Sequence, residues 1–362
     1  MGRVTQMEQL EQLYNLRLKR TAFAPRKRVP DRDRLAISGP PGSGKTHLLL
    51  ESCRRHEGGY LYIDLQDERL DLARLAQDLP EFITQKAITL LAIDGYDGRF
   101  VLPHHPARQQ IVLAGGITAP VGFAHHRLWP LDFEEFLAFA KRADDPEGQF
   151  GEYLRLGGLP EGIWLDELHR LTRWQERLRL MLPDELSRAV YGFYLDRSGF
   201  SLTPHQAYTA LKAQMKISKD KLYRLSRELI ESNLLIAIAK YENPDAARKL
   251  FGYDFALRQA VTFEKALSRT FEAMVTLELI KQGKEPFYAD YIDCLLPAES
   301  RAVIALPFPT AESLQVRLHT ILKTANISRI EFVTMGYGYQ REEEGVLIEA
   351  IPFWQWALRE EG

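Results

Sequence analysis

Gly39-Pro40-Pro41-Gly42-Ser43-Gly44-Lys45-Thr46 matches the pattern GxxxxGK[ST] at every fixed position. A short apolar strand, residues 35–38, comes directly before it, and the segment 46–55 that follows reads as a helix. Glycines let successive backbone N–H groups point towards phosphate oxygens, and the start of the helix adds the positive end of its dipole. The stretch therefore predicts a phosphate-binding loop between a strand and a helix of an α/β domain.

The side chains of this loop complete a site for a magnesium nucleotide. Lys45 supplies a point charge for the β and γ phosphates, and the Thr46 hydroxyl is a magnesium ligand. We expect ATP or ADP to be bound by the residues of the loop and the first turn of the helix, namely Gly39, Pro40, Pro41, Gly42, Ser43, Gly44, Lys45, Thr46 and His47.

A second acidic position ends the strand Leu90-Leu91-Ala92-Ile93-Asp94. Four apolar residues followed by a carboxylate are typical of a magnesium-positioning strand, so we expect Asp94 to act with Thr46 on Mg²⁺. Hydrolysing enzymes usually carry Glu or Asp directly afterwards to orient the attacking water, and here that residue is Gly95. Asp97 is the nearest further candidate for a catalytic carboxylate, although it also fits plain turn chemistry. We therefore expect intact nucleotide binding and at most a slow ATPase.

Strands and helices alternate through the first third of the chain. Apolar strands at 60–65, 88–94 and 111–116 are separated by short helical segments, which predicts a parallel α/β sheet. After residue 130 the pattern becomes helical, and residues 187–241 read as helices followed by a strand. From about residue 263 a long helix is followed by four strands, with another helix between the second and third.

These segments resemble the prokaryotic AAA-type ATPases that join a P-loop domain to a winged helix and a C-terminal domain built like a restriction-endonuclease core. The match rests on GPPGSGKT, on LLAID, on residues 130–137 (PLDFEEFL, similar to "PLSFEEFL") and on residues 157–161 (GGLPE). Weaker support comes from residues 248–254 (RKLFGYD, similar to "KLYFYD") and 271–279 (FEAMVTLEL, similar to "FENLVALEL").

The resemblance implies four successive regions in an α/β protein. We expect a P-loop NTPase domain with a parallel sheet at 1–130 and a helical lid at 131–185. A winged helix at 186–258 and a smaller, degenerate nuclease-like α/β domain at 259–362 follow.

Several positions depart from that family around the γ-phosphate. Gly95 replaces the catalytic acid, and Ala114-Gly115-Gly116 lacks the polar residue of the usual Gly-Ser sensor. The Gly-Arg that normally follows is not evident, and Arg127 is the closest basic substitute.

The nuclease-like domain lacks most of its chemistry. Asp293 and Glu272 correspond to the family's carboxylates, but the Glu-x-Lys positions fall on Ala305-Leu306-Pro307. We interpret this domain as a structural or docking module for a protein partner, without nuclease activity.

Residues 212–227 are strongly basic, with Asp220 as the single acid. A helix presenting Lys219, Lys221, Arg224 and Arg227 suits contact with DNA phosphates or the major groove. The alternative is a helix that packs on the nucleotide domain or a partner. The basic connector 21–34 is interpreted as a solvated linker, with a nucleic-acid arm as its alternative.

Composition narrows the class of protein. With Lys+Arg 47 against Asp+Glu 49, the net charge of −2 excludes a chain coated in positive charge for nucleic acid, although not a local patch. No apolar stretch is long enough to span a bilayer, so no membrane partner is expected. Cys53 and Cys294 form no CxxC pair, and a reducing cytoplasm is the expected location.

Three functions follow from these observations. The first is an ATP-binding protein that acts as a nucleotide-dependent switch with weak or absent hydrolysis. The second is an active ATPase coupled to DNA through the winged helix, with Asp97 or a neighbouring subunit completing catalysis. The third is a scaffold that binds ATP for stability and engages a protein partner.

Overall fold

Two units make up the chain, Met1–Trp129 and Pro130–Gly362. The computed structural model describes residues 6–15, 26–27, 29–102, 110–115, 119–141, 144–322, 327–343 and 345–359. Across these ranges, no helix combines the length and the apolar character that crossing a membrane requires.

The first unit is built on five strands that all run parallel. The strands are β1 (Arg34–Ser38), β2 (Gly59–Asp64), β3 (Ile88–Tyr96), β4 (Gln110–Gly115) and β5 (Ala124–Arg127). The helices are α1 (Gln6–Tyr14), α2 (Lys45–Arg55) and α3 (Leu72–Gln85). The strand order is β2-β3-β4-β1-β5, so β4 lies between the strand that carries the phosphate loop and the strand that carries Asp94. The predicted parallel α/β sheet is confirmed.

Helices cover both faces of this sheet. Leu90 of β3 lies in one buried cluster with Leu49 of α2, whereas the next residue, Leu91, lies in another with Leu75 of α3. Successive side chains of a strand point to opposite faces, so the two clusters lie on the two sides of the sheet. This burial on both sides explains the continuous apolar runs of β1, β3 and β4.

Strand β5 was not predicted, because its sequence Ala-His-His-Arg has no apolar run. It pairs with β1 along its whole length, with Arg127 beside Ser38 at the start of the phosphate loop. The sequence predicts a helix over 71–79, and α3 extends beyond it to Gln85 and runs through Pro80.

The second unit begins with helices, as predicted. They are α4 (Phe133–Ala140), α5 (Pro146–Leu156), the 3₁₀ turn Pro160–Trp164, α6 (Glu167–Met181) and α7 (Glu185–Asp196). The start of α4 is fixed by a capping box, in which Asp132 accepts from the N–H of Glu135 and the Glu135 side chain returns to the N–H of Asp132.

A small three-stranded antiparallel sheet follows, in the order β6-β8-β7. Its elements are β6 (Ser201–Leu202), α8 (Pro204–Lys212), α9 (Lys219–Glu231), β7 (Leu235–Ile238), β8 (Arg248–Gly252) and the 3₁₀ turn Phe255–Ala260. The helix pair matches the sequence prediction. The winged-helix assignment itself stays a prediction.

The last region holds a mixed six-stranded sheet. Its elements are α10 (Leu267–Lys281), β9 (Phe287–Ala289), β10 (Ile292–Leu296), the 3₁₀ turn Pro297–Glu299, β11 (Arg301–Ala305), α11 (Ala311–Ile321), β12 (Arg329–Thr334), β13 (Tyr339–Glu343), β14 (Val346–Pro352) and α12 (Phe353–Ala357). The strand order is β13-β14-β12-β11-β10-β9. The sequence pattern predicts one continuous strand over 287–296, and this prediction is wrong, because a turn at Tyr291, with φ of 66°, divides the segment into β9 and β10. The nuclease-like assignment stays a prediction.

The segments that carry the family resemblance in the second unit bond to one another. The N–H of Leu131 donates to the carbonyl of Gly158 at 2.7 Å, and the N–H of Gly158 donates to the Asp254 carboxylate at 2.7 Å. The N–H of Phe133 donates to the Glu278 carboxylate at 3.0 Å. Both carboxylates are only 1% exposed, so these residues form a buried polar network that fixes the backbone.

Gly157, directly after α5, should not tolerate a side chain, whereas Gly151 inside α5 should. Gly157 has φ of 78° and ψ of −172°, and an added Cβ lies 2.3 Å from the Asp254 carboxylate. We expect Gly157→Ala to lower the free energy of unfolding by about 1–3 kcal/mol. An added Cβ at Gly151 has nothing within 4 Å, and Gly151→Ala should raise stability by up to about 1 kcal/mol. Urea unfolding of the full chain measures both, and equal midpoints would contradict this account.

Candidate nucleotide-binding site

Glycines set the path of the loop between β1 and α2. Gly39, Gly42 and Gly44 have φ of 148°, 84° and 98°, which residues with a Cβ rarely adopt. Gly39 also has no space for a side chain, because an added Cβ lies 2.1 Å from the carbonyl oxygen of Leu128. The loop therefore depends on glycine for its conformation as well as for close packing on the chain after β5.

The donors of the loop suit an anion. Helix α2 begins at Lys45, and Gly44 before it offers no side chain to cap the first N–H groups. The Ser43 hydroxyl is buried and has no hydrogen-bond partner within the described structure. Phosphate oxygens can accept hydrogen bonds from the uncapped N–H groups and from the Ser43 hydroxyl, so the loop fits the phosphates of a nucleotide. Thr46 and His47, in the first turn of α2, are exposed.

The Lys45 side chain is hydrogen-bonded to the backbone of the phosphate loop. Its Nζ donates to the carbonyl oxygens of Gly39 at 2.7 Å and Pro40 at 3.1 Å. These bonds keep the ammonium beside the uncapped N–H groups, where it adds positive charge to the same region. A lysine at this place pairs with β and γ phosphates.

Sequence reasoning missed two side chains that support the loop. Arg26 donates to the carbonyl of Ser43 at 3.3 Å and also to the carbonyl of Trp129. At Arg26 the connector is therefore not a solvated linker. His125 of β5 bonds through Nε2 to the Ser38 hydroxyl at 2.6 Å, and burial and the charge of Arg127 lower the pKa of His125. Neither contact has a local sequence signal, since β5 and the connector carry no motif.

Asp94, the predicted magnesium ligand, is a nearly buried carboxylate near the end of β3. It is 9% exposed at the end of β3 and accepts from the Tyr62 hydroxyl at 3.1 Å and from the N–H of Gly95 at 2.9 Å. Burial and the charge of Asp94 raise the pKa of Tyr62, so that hydroxyl stays a donor. The described residues contain no cluster of three or more His, Cys, Asp or Glu side chains that could hold a metal. Hydroxyl, carboxylate and phosphate oxygens are ligands that Mg²⁺ accepts, and the assignment of Thr46 and Asp94 to Mg²⁺ stays a prediction.

A side chain at either of the two glycines near the ends of β3 and β4 meets atoms of the present structure. Gly95 has φ of 68°, and an added Cβ lies 2.9 Å from Cγ of Gln66. An added Cβ at Gly115 lies 1.9 Å from the carbonyl oxygen of Tyr96. Glu at 95 therefore takes a strained positive φ and displaces the Gln66 side chain, whereas Ser at 115 requires the backbone at Tyr96 to move.

Asp97, the other catalytic candidate, is engaged in its own turn. Its carboxylate accepts from the N–H of Arg99 at 3.0 Å and pairs with the Arg99 guanidinium. The bond to the Arg99 side chain, followed by the bond to its N–H, lowers the pKa of Asp97. Its catalytic role stays a prediction, and the contacts favour turn chemistry.

A second charged cluster lies in the second unit and includes a lysine that sequence reasoning missed. Nζ of Lys249, on β8, lies 2.6 Å from Oε1 of Glu272 and 3.2 Å from Oδ1 of Asp293. The other Asp293 oxygen accepts from the N–H of Ala305 at 3.0 Å. Glu272 and Asp293 thus meet as the resemblance implies, but with a lysine from a different element between them.

Burial governs the protonation of this cluster. Burial on its own lowers the pKa of Lys249, but the charges of Asp293 and Glu272 outweigh it and raise that pKa. Burial and the charge of Asp293 raise the pKa of Glu272 to about 7, although Lys249 opposes the change.

Helix α9 divides into a buried face and a basic face. Leu222, Leu225 and Leu229 are buried in the core of the second unit. Three of the four candidate DNA contacts, Lys219, Arg224 and Arg227, are exposed, and Lys221 is half-buried. Arg224 lies 3.6 Å from Glu228. The predicted set therefore lies largely on one solvent face.

No family model matches this sequence, and no curated protein matches it. Solved structures are similar in fold at low identity. The Walker-type ATPase PABY2304 of Pyrococcus abyssi matches with 17% identity and a TM-score of 0.40, over 63% of this chain and 91% of its own. The ORC1 protein of Aeropyrum pernix, solved in complex with DNA, matches with 13% identity and a TM-score of 0.29, over 64% and 87%.

A third similar structure is the STAND protein PH0952 of Pyrococcus horikoshii, which has a tetratricopeptide repeat sensor. It matches with 14% identity and a TM-score of 0.26, over 68% of this chain and 43% of its own. Similarities at this level carry no argument about function, which rests here on the geometry of the site.

The Lys249 cluster should make stability depend on pH. Because folding raises the pKa of Glu272 from its ordinary 4.5 to about 7, the folded state holds that proton more tightly. The resulting stabilisation is complete below about pH 4.5 and is lost as the pH rises through about 7. Relative to Glu272→Gln, the free energy of unfolding of the wild type should fall by up to about 3 kcal/mol between pH 5 and pH 8.

Urea unfolding of the full chain at both pH values measures that difference. The matched control is Glu176→Gln, whose carboxylate is 48% exposed on α6. Its free energy of unfolding should change between the two pH values as that of the wild type does. If Glu272→Gln also changes as the wild type does, the raised pKa of Glu272 is not the cause of the pH dependence.

Proposed function

We propose that the first unit binds ATP or ADP with Mg²⁺ and that the protein is a nucleotide-dependent switch with weak or absent hydrolysis. The observation that carries the proposal is the loop of residues 39–46. There, glycines with positive φ, a buried unpaired Ser43 hydroxyl and an uncapped helix start occur together. An anion with several oxygens satisfies all of these groups at once.

Each residue of the site has a separate task in this proposal. The loop N–H groups and the Ser43 hydroxyl bind phosphate oxygens, and Lys45 neutralises their charge. Thr46 and Asp94 hold magnesium, which when bound neutralises charge on the β and γ phosphates. Tyr62 and the N–H of Gly95 hold the Asp94 carboxylate in place.

Slow hydrolysis follows from the ends of β3 and β4. Gly95 and Gly115 carry no side chain to orient water or contact the γ-phosphate. An added side chain meets Gln66 at the first position and the backbone of Tyr96 at the second. A nucleotide that is bound but converted slowly persists long enough to bias the conformation of the protein. That persistence is what a switch requires.

Lys45→Ala should weaken ATP binding by about 10- to 100-fold, because a charged donor to phosphate is lost. Equilibrium dialysis with labelled ATP measures the affinity, and release of labelled phosphate measures turnover. We expect wild-type turnover below about 1 s⁻¹. Limited proteolysis should give different fragment patterns with ATP and with ADP.

The matched control is Arg55→Ala, which removes an exposed positive charge from the last turn of the same helix. It should bind ATP like the wild type. ATP binding that survives in Lys45→Ala would overturn the proposed site. Turnover above about 1 s⁻¹ that depends on Lys45, or identical proteolysis with both nucleotides, would overturn the switch.

The exposed basic face of α9 favours a second candidate function, an ATPase coupled to DNA. Lys219, Arg224 and Arg227 present positive charge to solvent from a helix whose opposite face is buried. Phosphate contacts of this kind give binding that weakens steeply with salt. A protein partner on the C-terminal region stays a prediction.

Changing Lys219, Arg224 and Arg227 to Glu should abolish a salt-dependent gel shift if this face binds DNA. Each lost phosphate contact should reduce the slope of log affinity against log salt by about 0.9. The control carries the same change at Lys141, Arg179 and Lys265, which are exposed basic residues of the same unit outside α9. Equal DNA binding by the two triple variants would rule out the α9 face.

A further inference from the structure

The space beside Gly95 is filled by side chains from the neighbouring strand. A Cβ added at Gly95 lies 2.9 Å from Cγ of Gln66, 3.5 Å from its Cδ and 3.4 Å from Oδ1 of Asp64. The sequence pattern described above implies that position 95 is where hydrolysing enzymes carry the carboxylate that orients the attacking water. Here an amide and a carboxylate reach the same place from the end of β2.

The sheet itself produces this juxtaposition. Strands β2 and β3 are parallel neighbours, and Asp64 is paired in register with Asp94, so both strands end at the same edge. The N–H of Leu65 donates to the carbonyl of Asp94 at 3.0 Å, which ties the chain after β2 to the end of β3. The N–H of Gln66 donates to Oδ1 of Asp64 at 2.9 Å and closes a tight turn.

The other acids near the ends of these strands are already engaged. Asp94 accepts from Tyr62 and from the N–H of Gly95, and Asp97 pairs with Arg99. Asp67, in the turn after β2, pairs with Arg69. By contrast, the described contacts of Asp64 use Oδ1 alone, which leaves Oδ2 to accept another donor. Asp64 is half-buried and Gln66 is exposed, so solvent reaches both.

From this geometry we propose that Asp64 is the general base of the slow hydrolysis and that Gln66 positions the attacking water. The inference rests on the proposed nucleotide site. The water oxygen bonds to the γ-phosphorus while its proton passes to the Asp64 carboxylate. The bond between the γ-phosphorus and the bridging oxygen breaks, and its electron pair leaves with ADP. The Gln66 amide holds the water by hydrogen bonding, as a glutamine does in some GTPases.

Slow turnover is consistent with a base that comes from Asp64 and not from position 95. Aspartate is shorter than glutamate by one methylene, and Asp64 acts from the strand beside the one that carries Asp94. The Gln66 side chain is exposed, so holding it in a single orientation costs conformational entropy. The arrangement therefore supplies the missing carboxylate with less preorganisation than a residue at position 95 provides.

Asp64→Asn tests the base while preserving the turn, because the Asn oxygen still accepts from the N–H of Gln66. Single-turnover release of labelled phosphate should fall by about a hundredfold or more, with ATP affinity unchanged. Gln66→Ala should slow release as well. The matched control is Asp67→Asn, an acid three residues along in the same turn, which should release phosphate at the wild-type rate.

A second measurement is independent of turnover. Aluminium fluoride with ADP mimics the planar phosphoryl group in flight and requires the attacking water to be in place. The wild type and Asp67→Asn should retain ADP in its presence, whereas Asp64→Asn and Gln66→Ala should lose that retention and still bind ADP alone. If Asp64 acts in folding alone, folded Asp64→Asn that still binds ADP should retain ADP with aluminium fluoride as the wild type does.

The outcomes separate the inference from the proposed function. If the wild type does not bind ATP, the nucleotide site itself fails. If ATP binds but Asp64→Asn releases phosphate at the wild-type rate, the inference is wrong and the nucleotide site stands. Absence of any phosphate release that depends on Lys45 would also overturn the inference while leaving the binding proposal intact.

Discussion

The first unit depends on the close approach of the chain after β5 to the first residue of the phosphate loop. The N–H of Leu128 donates to the carbonyl of Ser38 at 2.7 Å, and the Leu128 carbonyl oxygen occupies the space that a Cβ at Gly39 would need. This contact fixes where the backbone leaves β1. The positive φ values at Gly42 and Gly44 then bring the chain into α2 with its first N–H groups uncapped. The donors of the site are thus set by backbone packing before any charged side chain contributes.

Parallel pairing brings the remaining chemistry to the same edge of the sheet. The carboxyl ends of β1, β2 and β3 carry the phosphate loop, Asp64 and Asp94, and parallel strands end on one side. A side chain at the end of one strand therefore lies beside the end of its neighbour, because the two ends are a strand spacing apart. Asp64 lies beside Gly95 in this way. The close packing of Gln66 against Gly95 also explains why a larger residue at 95 is disfavoured.

The sequence predicted what is local and missed what depends on pairing. The phosphate loop, the strand ending at Asp94 and the helix pair around Ser218 have signals within a few residues, and the structure has these elements. The sequence shows that residue 95 is glycine and not an acid. It does not show that Asp64 and Gln66 lie beside Gly95, because the β2–β3 register is a tertiary property. Strand β5 was missed since only its pairing with β1 defines it. The resemblance motifs of the second unit proved to bond with one another, through buried carboxylates such as Glu278.

The Lys249 cluster places a buried ammonium beside the two carboxylates for which the resemblance implies a nuclease-like role. The family pattern places its lysine at the position of Pro307, whereas the lysine that meets Glu272 comes from β8, 23 positions before Glu272. Its ammonium lies within hydrogen-bonding distance of both carboxylates. It therefore occupies the position that a metal ion bound by the two carboxylates would take. The two negative charges stabilise the protonated lysine, and a divalent ion must displace that charge to bind there. The cluster thus joins β8 to α10 and β10, and it retains the paired carboxylates as an internal ion pair.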